Sequence, residues 1–346
     1  MEKKSLYEYI TENIDPEEQC FTQETLLDDP HPTVPHPLGA EDAFWFTSDS
    51  PPYERGAEEI LKALDEYLQY PDQPHKQKLY KLLSDAPVIA VAEILCDKLN
   101  DREITDKYFY LARSFFYNAQ HRGPIKFAYM LFGFYGMGNI KDNDADLWED
   151  LIKIAQCEEF TYFFLFACRI SNLDIHKEIW RLIGCCKGWG RVFAIEEAKC
   201  EDEAQELWLI QHGMELEVEH PPLAAHILEV ANLPYHLEQD EISYRTFKGA
   251  AIIVNQFLIL LNNYDENVLE TNLNTAAVKP VQLLQNLIRH AKQHATKPED
   301  ILHLEKANLE EDSYALANKL DASTERQNLN QYRAVLMEFN QTRCFY

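Results

Sequence analysis

His290 and His294 are four residues apart, a spacing that puts two imidazole rings over one face of a helix, where they could share a metal ion. A metalloprotease of that design carries Glu directly after the first His as its base, but Ala291 stands there. His303 and Glu305 could complete a site only if the chain folds back, so a solvated helix face is the preferred reading. Asp142, Asp144 and Asp146 alternate like the first three ligands of a calcium loop. The loop's glycine position holds Leu147 and its bidentate-glutamate position holds Lys153. Acids just ahead of a helix also suit the positive end of its dipole, and that explanation is taken here. Gly133, Gly136 and Gly138 follow no strand pattern and lack the G-x-G-x-x-G spacing of a dinucleotide site, so they read as helix-end glycines. The sequence holds neither a phosphate loop of the GxxxxGK[ST] kind nor a serine nucleophile elbow. Its eight cysteines form no CxxC pair, and adjacent Cys185 and Cys186 read as an inert helix-end pair. No catalytic residue, metal ligand or cofactor site is assigned.

Charge distribution is more informative. Acids outnumber bases 58 to 32, for a net charge of −26. Yet the 35 residues from Lys107 to Lys141 contain no Asp or Glu, where the average density of 58 in 346 would give about six. The same window carries Lys107, Arg113, Arg122, Lys126 and Lys141 with eleven aromatics, Tyr129 among them. A weaker basic spot surrounds Lys187, Trp189 and Arg191. Two readings stay open. Buried helices in the middle of an array exclude acids. Alternatively, Arg113, Arg122, Lys126, Tyr129, Trp189 and Arg191 form a binding face, since arginine and aromatics anchor interfaces. Acids elsewhere in the chain would be screened from such a face beyond roughly 8 Å at physiological salt, leaving it able to hold an acidic peptide, a carboxylate or a phosphate.

The elements that must carry these residues are helical. Glycine is scarce at 11 residues, and 41 leucines stand against 11 valines. That composition favours helix over strand and argues against a β-sandwich, a β-barrel or a disordered chain. Ile104, Tyr108, Leu111, Ala112, Phe115, Phe116 and Ala119 form a stripe at steps of three and four. Pro124 suits the start of the next helix, over 124–136. Pairs follow at 144–156 with 159–171, 174–184 with 190–199, and 203–213 with 221–231, and further helices at 240–262, 278–295 and 299–340. First helices of the pairs recur every 29 to 40 residues, the interval of a repeat array in which each unit hides its apolar face on its neighbours. The expected fold is all-α, a degenerate HEAT- or armadillo-like α-solenoid, with an irregular multi-helical bundle as the alternative. Residues 1–56 read as a short helix at 4–14 plus a loop packed on the body. Seven prolines lie between 15 and 55, and Phe44, Trp45 and Phe46 supply apolar weight to hold that loop down. Residues 57–264 read as the array and 265–346 as capping helices.

The run Gly188-Trp189-Gly190-Arg191-Val192-Phe193-Ala194-Ile195-Glu196, with Glu206-Leu207-Trp208-Leu209-Ile210 and Gly213, resembles a group of largely uncharacterised bacterial HEAT-like proteins. So do the opening Leu6-Tyr7-Glu8-Tyr9-Ile10, the proline-rich loop and the segment Arg122–Phe127. The resemblance implies a helical-repeat fold. Some members of that group carry the label limonene hydroxylase. A hydroxylase must activate oxygen on haem, flavin or iron, and no residue pattern here provides for one.

The functional expectation is a non-enzymatic interaction module, an acidic helical-repeat protein that binds another protein or an acidic peptide in a concave groove. An enzyme without recognisable motifs is the alternative. A third reading is a HEAT-type nucleic-acid binder, which a charge of −26 disfavours because phosphate binding draws on Lys and Arg. An acidic protein capping a basic partner would gain encounter rate from its single-sign charge. The opening residues show no export signal, and the apolar run 249–261 is too short to span a membrane. A soluble, cytoplasmic chain with a protein partner, no nucleic acid and no membrane is therefore expected. No pattern speaks to oligomeric state.

Overall fold

A computed structural model describes residues 4–17, 19–27, 37–47, 51–263 and 280–294. Among the described residues every regular element is a helix. The one β feature is an isolated antiparallel bridge between Ile14 and Phe21. The chain divides into two compact units, Met1–Ala198 and Lys199–Tyr346, a boundary that falls inside the array expected over 57–264.

In the first unit, α1 (Leu6–Glu12) begins at a reciprocal cap. The Ser5 side chain accepts from the Glu8 amide, and the Glu8 carboxylate accepts from the Ser5 amide. A helix not expected from the sequence follows inside the proline-rich stretch, α2 (Ala40–Thr47). Then come α3 (Glu54–Gln69), α4 (Gln73–Asp85), α5 (Ile89–Asn100), α6 (Asp106–Asn118) and α7 (Arg122–Tyr135). The segment expected as a polar loop winds into α8 (Met137–Asn143), because Met137 and Ile140 bury one side of it. The unit closes with α9 (Ala145–Ala155), α10 (Glu158–Ile170), α11 (His176–Cys185) and α12 (Trp189–Glu196).

Neighbours in sequence pack as pairs: α3 on α4, α6 on α7, α9 on α10, α11 on α12. The second members also touch in succession, α7 on α10 and α10 on α12. At Gly133 the α7 and α10 backbones meet so closely that a Cβ would sit 3.0 Å from the Ala167 Cα. Every residue from Gly123 to Gly133 is buried. This accounts for much of the acid-free window: an unpaired carboxylate there would lose its hydration with nothing to replace it. Helix α1 packs on α6 and α9, with the Leu6 amide donating to the Ala119 carbonyl at 2.8 Å and Tyr7 edge-on to Tyr117.

The second unit comprises α13 (Glu203–His212), α14 (Pro222–Val230), α15 (Leu233–Glu238), α16 (Tyr244–Asn263) and α17 (Pro280–His294). The apolar run 249–261 lies in α16, which packs against α13, α14 and α17 and buries Ala250, Ile253, Val254 and Phe257. None of the described helices is long and apolar enough to cross a membrane. The helix expected over 299–340 lies outside the described residues.

Candidate functional site: a charge cluster beneath a short helix

Helices α7 and α10 each begin with the residues that make the site. Arg122 opens α7, and Lys126 follows one turn later on the same side. Glu158 and Glu159 open α10, where acids complement the positive helix end. Lys126 Nζ lies 2.7 Å from Glu159 Oε1, and Arg122 Nη1 lies 3.3 Å from Glu159 Oε2. Helix α2 then brings Asp42 across them, its Oδ1 accepting from Lys126 Nζ at 2.9 Å. Glu41 stands at the rim, 3.9 Å from the same nitrogen. Lys126, Asp42 and Glu159 are almost wholly buried, while Glu41 is half exposed. The inner charges balance, two cations against two anions.

Gly39, just ahead of α2, completes the attachment. Its amide donates to Glu159 Oε2 at 3.0 Å. Its φ of +79° lies in the left-handed region, and a Cβ there would meet the Glu158 carbonyl at 2.8 Å and the Trp189 Cβ at 3.1 Å. Trp189 is fixed in turn by Glu158. That carboxylate accepts from the Lys187 and Gly188 amides, each at 2.7 Å, and from the Gly190 amide at 3.1 Å, so it caps the start of α12. Phe44 packs against Trp189 with ring centroids 6.4 Å apart, yet keeps more than half its surface exposed.

Burial sets the electrostatics. It is the largest influence on Asp42, lifting its carboxyl from 3.8 to about 7 against the pull of Lys126. For Glu159 burial again pushes upward, but Lys126, Arg122 and the Gly39 amide together outweigh it and hold the carboxyl below its ordinary value. Burial would lower Lys126, but Asp42, Glu159 and Glu41 more than compensate and hold the ammonium above its usual range. Asp42 Oδ2 is buried without a hydrogen-bond partner among the described residues, whereas Glu159 Oε1 is matched by its ion pair with Lys126. Among the side chains of α2 whose burial is described, Ala40 and Ala43 are buried and Trp45 is partly buried. Chemically, the cluster receives an acidic side chain.

Of the six residues expected to share one face, Lys126 and Trp189 meet α2, and Arg122 joins them through Glu159. The other three do not. Arg113 lies at the surface in an ion pair with Asp144 at 2.7 Å. Tyr129 is fully buried, and its hydroxyl donates to the Leu151 carbonyl at 2.8 Å. Arg191 is buried, and its Nε donates to the Ile183 carbonyl at 3.0 Å. Lys126 and Tyr129 were expected as exposed groove residues and are interior. The groups that sequence reading did not single out are Gly39, Asp42, Glu158 and Glu159, while Phe44 was named only as part of the apolar weight on the proline-rich loop.

The other candidates resolve into structure. His290 is not on a solvated face as expected: it is buried with Nε2 3.1 Å from the Leu237 carbonyl, while His294 stacks on Phe247. Among the described residues no group of His, Cys, Asp or Glu is arranged to hold a metal. Asp144 caps α9 by accepting from the Leu147 amide at 3.1 Å. Cys185 and Cys186 are buried at the end of α11, their sulfurs 3.9 Å apart. No protein-family model matches the chain, and no curated protein or solved structure matches it either.

Proposed function

We propose that this chain is a non-enzymatic interaction module, an acidic helical-repeat protein of the HEAT or armadillo kind that binds another protein or an acidic peptide on one face of its helical array. The packing of α6 on α7, α9 on α10 and α11 on α12, with α7, α10 and α12 touching in succession, supports the repeat reading. The observation that carries the binding reading is the seat of Asp42. The α7–α10 face already receives one acidic helix, through Lys126 and Glu159, with Trp189 beside it for an aromatic neighbour.

The test is capture of a partner by the full tagged chain at one-to-one stoichiometry, followed by reconstitution from the two purified proteins. A defined complex supports the module reading. A chain that forms no complex with any reconstituted candidate contradicts it.

A further inference from the structure

Building on that reading, we propose that α2 is an internal stand-in for the partner: the face made by α7, α10 and the start of α12 is a receptor for a short helix with the pattern Gly-x-x-Asp-x-aromatic, and a partner segment of that chemistry displaces α2 to bind there.

The pattern comes from the contacts. Gly39 is required where its amide meets Glu159 and no side chain fits. Asp42, three residues on, meets Lys126. Phe44, two further, meets Trp189. Each contact runs from α2, or the residue before it, to a receptor side chain that another chain's segment could reach equally well.

Three features make α2 replaceable. Among its side chains of described burial, Ala40 and Ala43 are buried, Trp45 is partly buried and Phe44 is exposed, whereas α7 buries Phe127, Tyr129, Met130, Leu131 and Phe132. Its Asp42 keeps Oδ2 buried without a hydrogen-bond partner, so docking leaves the internal ligand incompletely satisfied. Removing α2 also leaves a coherent seat: Lys126 and Arg122 keep Glu159, and the remaining two cations and one anion offset part of the desolvation of an incoming acidic side chain. Tethering works against a competitor, because a segment on the same chain acts at an effective concentration on the order of millimolar. The receptor is therefore mostly filled until α2 is weakened or outcompeted.

The experiment uses the full chain and a fluorescein-labelled peptide of residues 37–47, PLGAEDAFWFT, followed by anisotropy. Asp42→Ala in the chain weakens the internal ligand while Lys126 retains Glu159. The peptide is expected to bind this variant about tenfold tighter than the wild-type chain, because more receptor is open. A peptide with its own Asp replaced by Ala is expected to lose that binding. Phe44→Ala in the chain leaves the buried charges intact and serves as the second variant, with a smaller gain in the same direction. Equal affinity for the wild-type chain and both folded variants overturns the stand-in, and so does no binding to any of the three at millimolar peptide. Neither result touches the stoichiometric complex that decides the module reading. Reconstitution of that complex with α2 still protected would keep the module and discard the displacement.

Discussion

Asp42 and Lys126 are 84 positions apart in the chain, yet their side chains meet at 2.9 Å with almost no exposure of either. A buried ion pair is weak support for stability in itself, because desolvation opposes the attraction. Removing one partner is another matter, since the remaining charges lose their compensation.

Lys126→Met tests that asymmetry. It leaves Asp42 without its cation and Glu159 with Arg122 alone. Equilibrium urea unfolding near neutral pH is expected to show a loss of about 3–5 kcal/mol. At about pH 5 the loss should shrink, because a carboxyl that has taken up a proton no longer needs the lysine.

The seat of α2 should loosen as pH rises. Burial raises the Asp42 carboxyl from 3.8 to about 7, so the docked state binds this proton more tightly than the undocked state. The contribution is fully present below the ordinary carboxylate range and is lost between about pH 4 and 7. Lys126 faces Asp42 from α7, Glu159 from α10 and Glu41 from α2 itself. Glu159 is shifted the other way, and its contribution is lost only in acid. Proteolytic nicking within 37–53 should therefore be faster at about pH 8 than at about pH 5.5, and Asp42→Asn should flatten the difference. A rate that falls with pH would contradict this.

Gly39→Ala places a methyl 2.8 Å from the Glu158 carbonyl on a backbone at φ +79°. The strain is on the order of 1–3 kcal/mol and falls on the attachment of α2 rather than on α7 or α10. Faster nicking within 37–53, with little change in the main unfolding transition, is the expected outcome.

Glu158→Ala removes the acceptor of three amides at the start of α12. Hydrogen bonds to a charged group contribute about 1.5–3 kcal/mol each at most, and water replaces part of that here, so a loss of about 2 kcal/mol in urea unfolding is expected. Trp189 emission should shift as its helix start loosens.

Much of the fold was legible because helical periodicity is local. The stripe from Tyr108 to Phe116 marks α6, and Pro124 lies in the first turn of α7. Helices α8 and α15 were missed because each is too short to show a period: Met137 and Ile140 are all that α8 buries. Helix α2 was hidden by the prolines on both sides of it. The site was half legible. An acid-free window drew attention to Arg122 and Lys126, but the same signal covers Tyr129, which is simply core. Asp42 and Glu159 could not be picked out, because nothing local distinguishes two acids among 58, and what makes them special is contact across 84 and 33 positions with Lys126. The aromatics of 44–46 suggested how the proline-rich loop is held, yet Phe44 remains largely exposed, and Asp42 is the side chain of α2 that meets Lys126 in the interior.

Amide hydrogen exchange along the full chain is the most direct measure of whether α2 is a separable ligand. Residues 40–47 are expected to open several kcal/mol more readily than those of α7 and α10, and to lose protection further when the 37–47 peptide is added. Protection of α2 equal to that of α7 and α10, unmoved by the peptide, would make it a fixed part of the core and contradict the account.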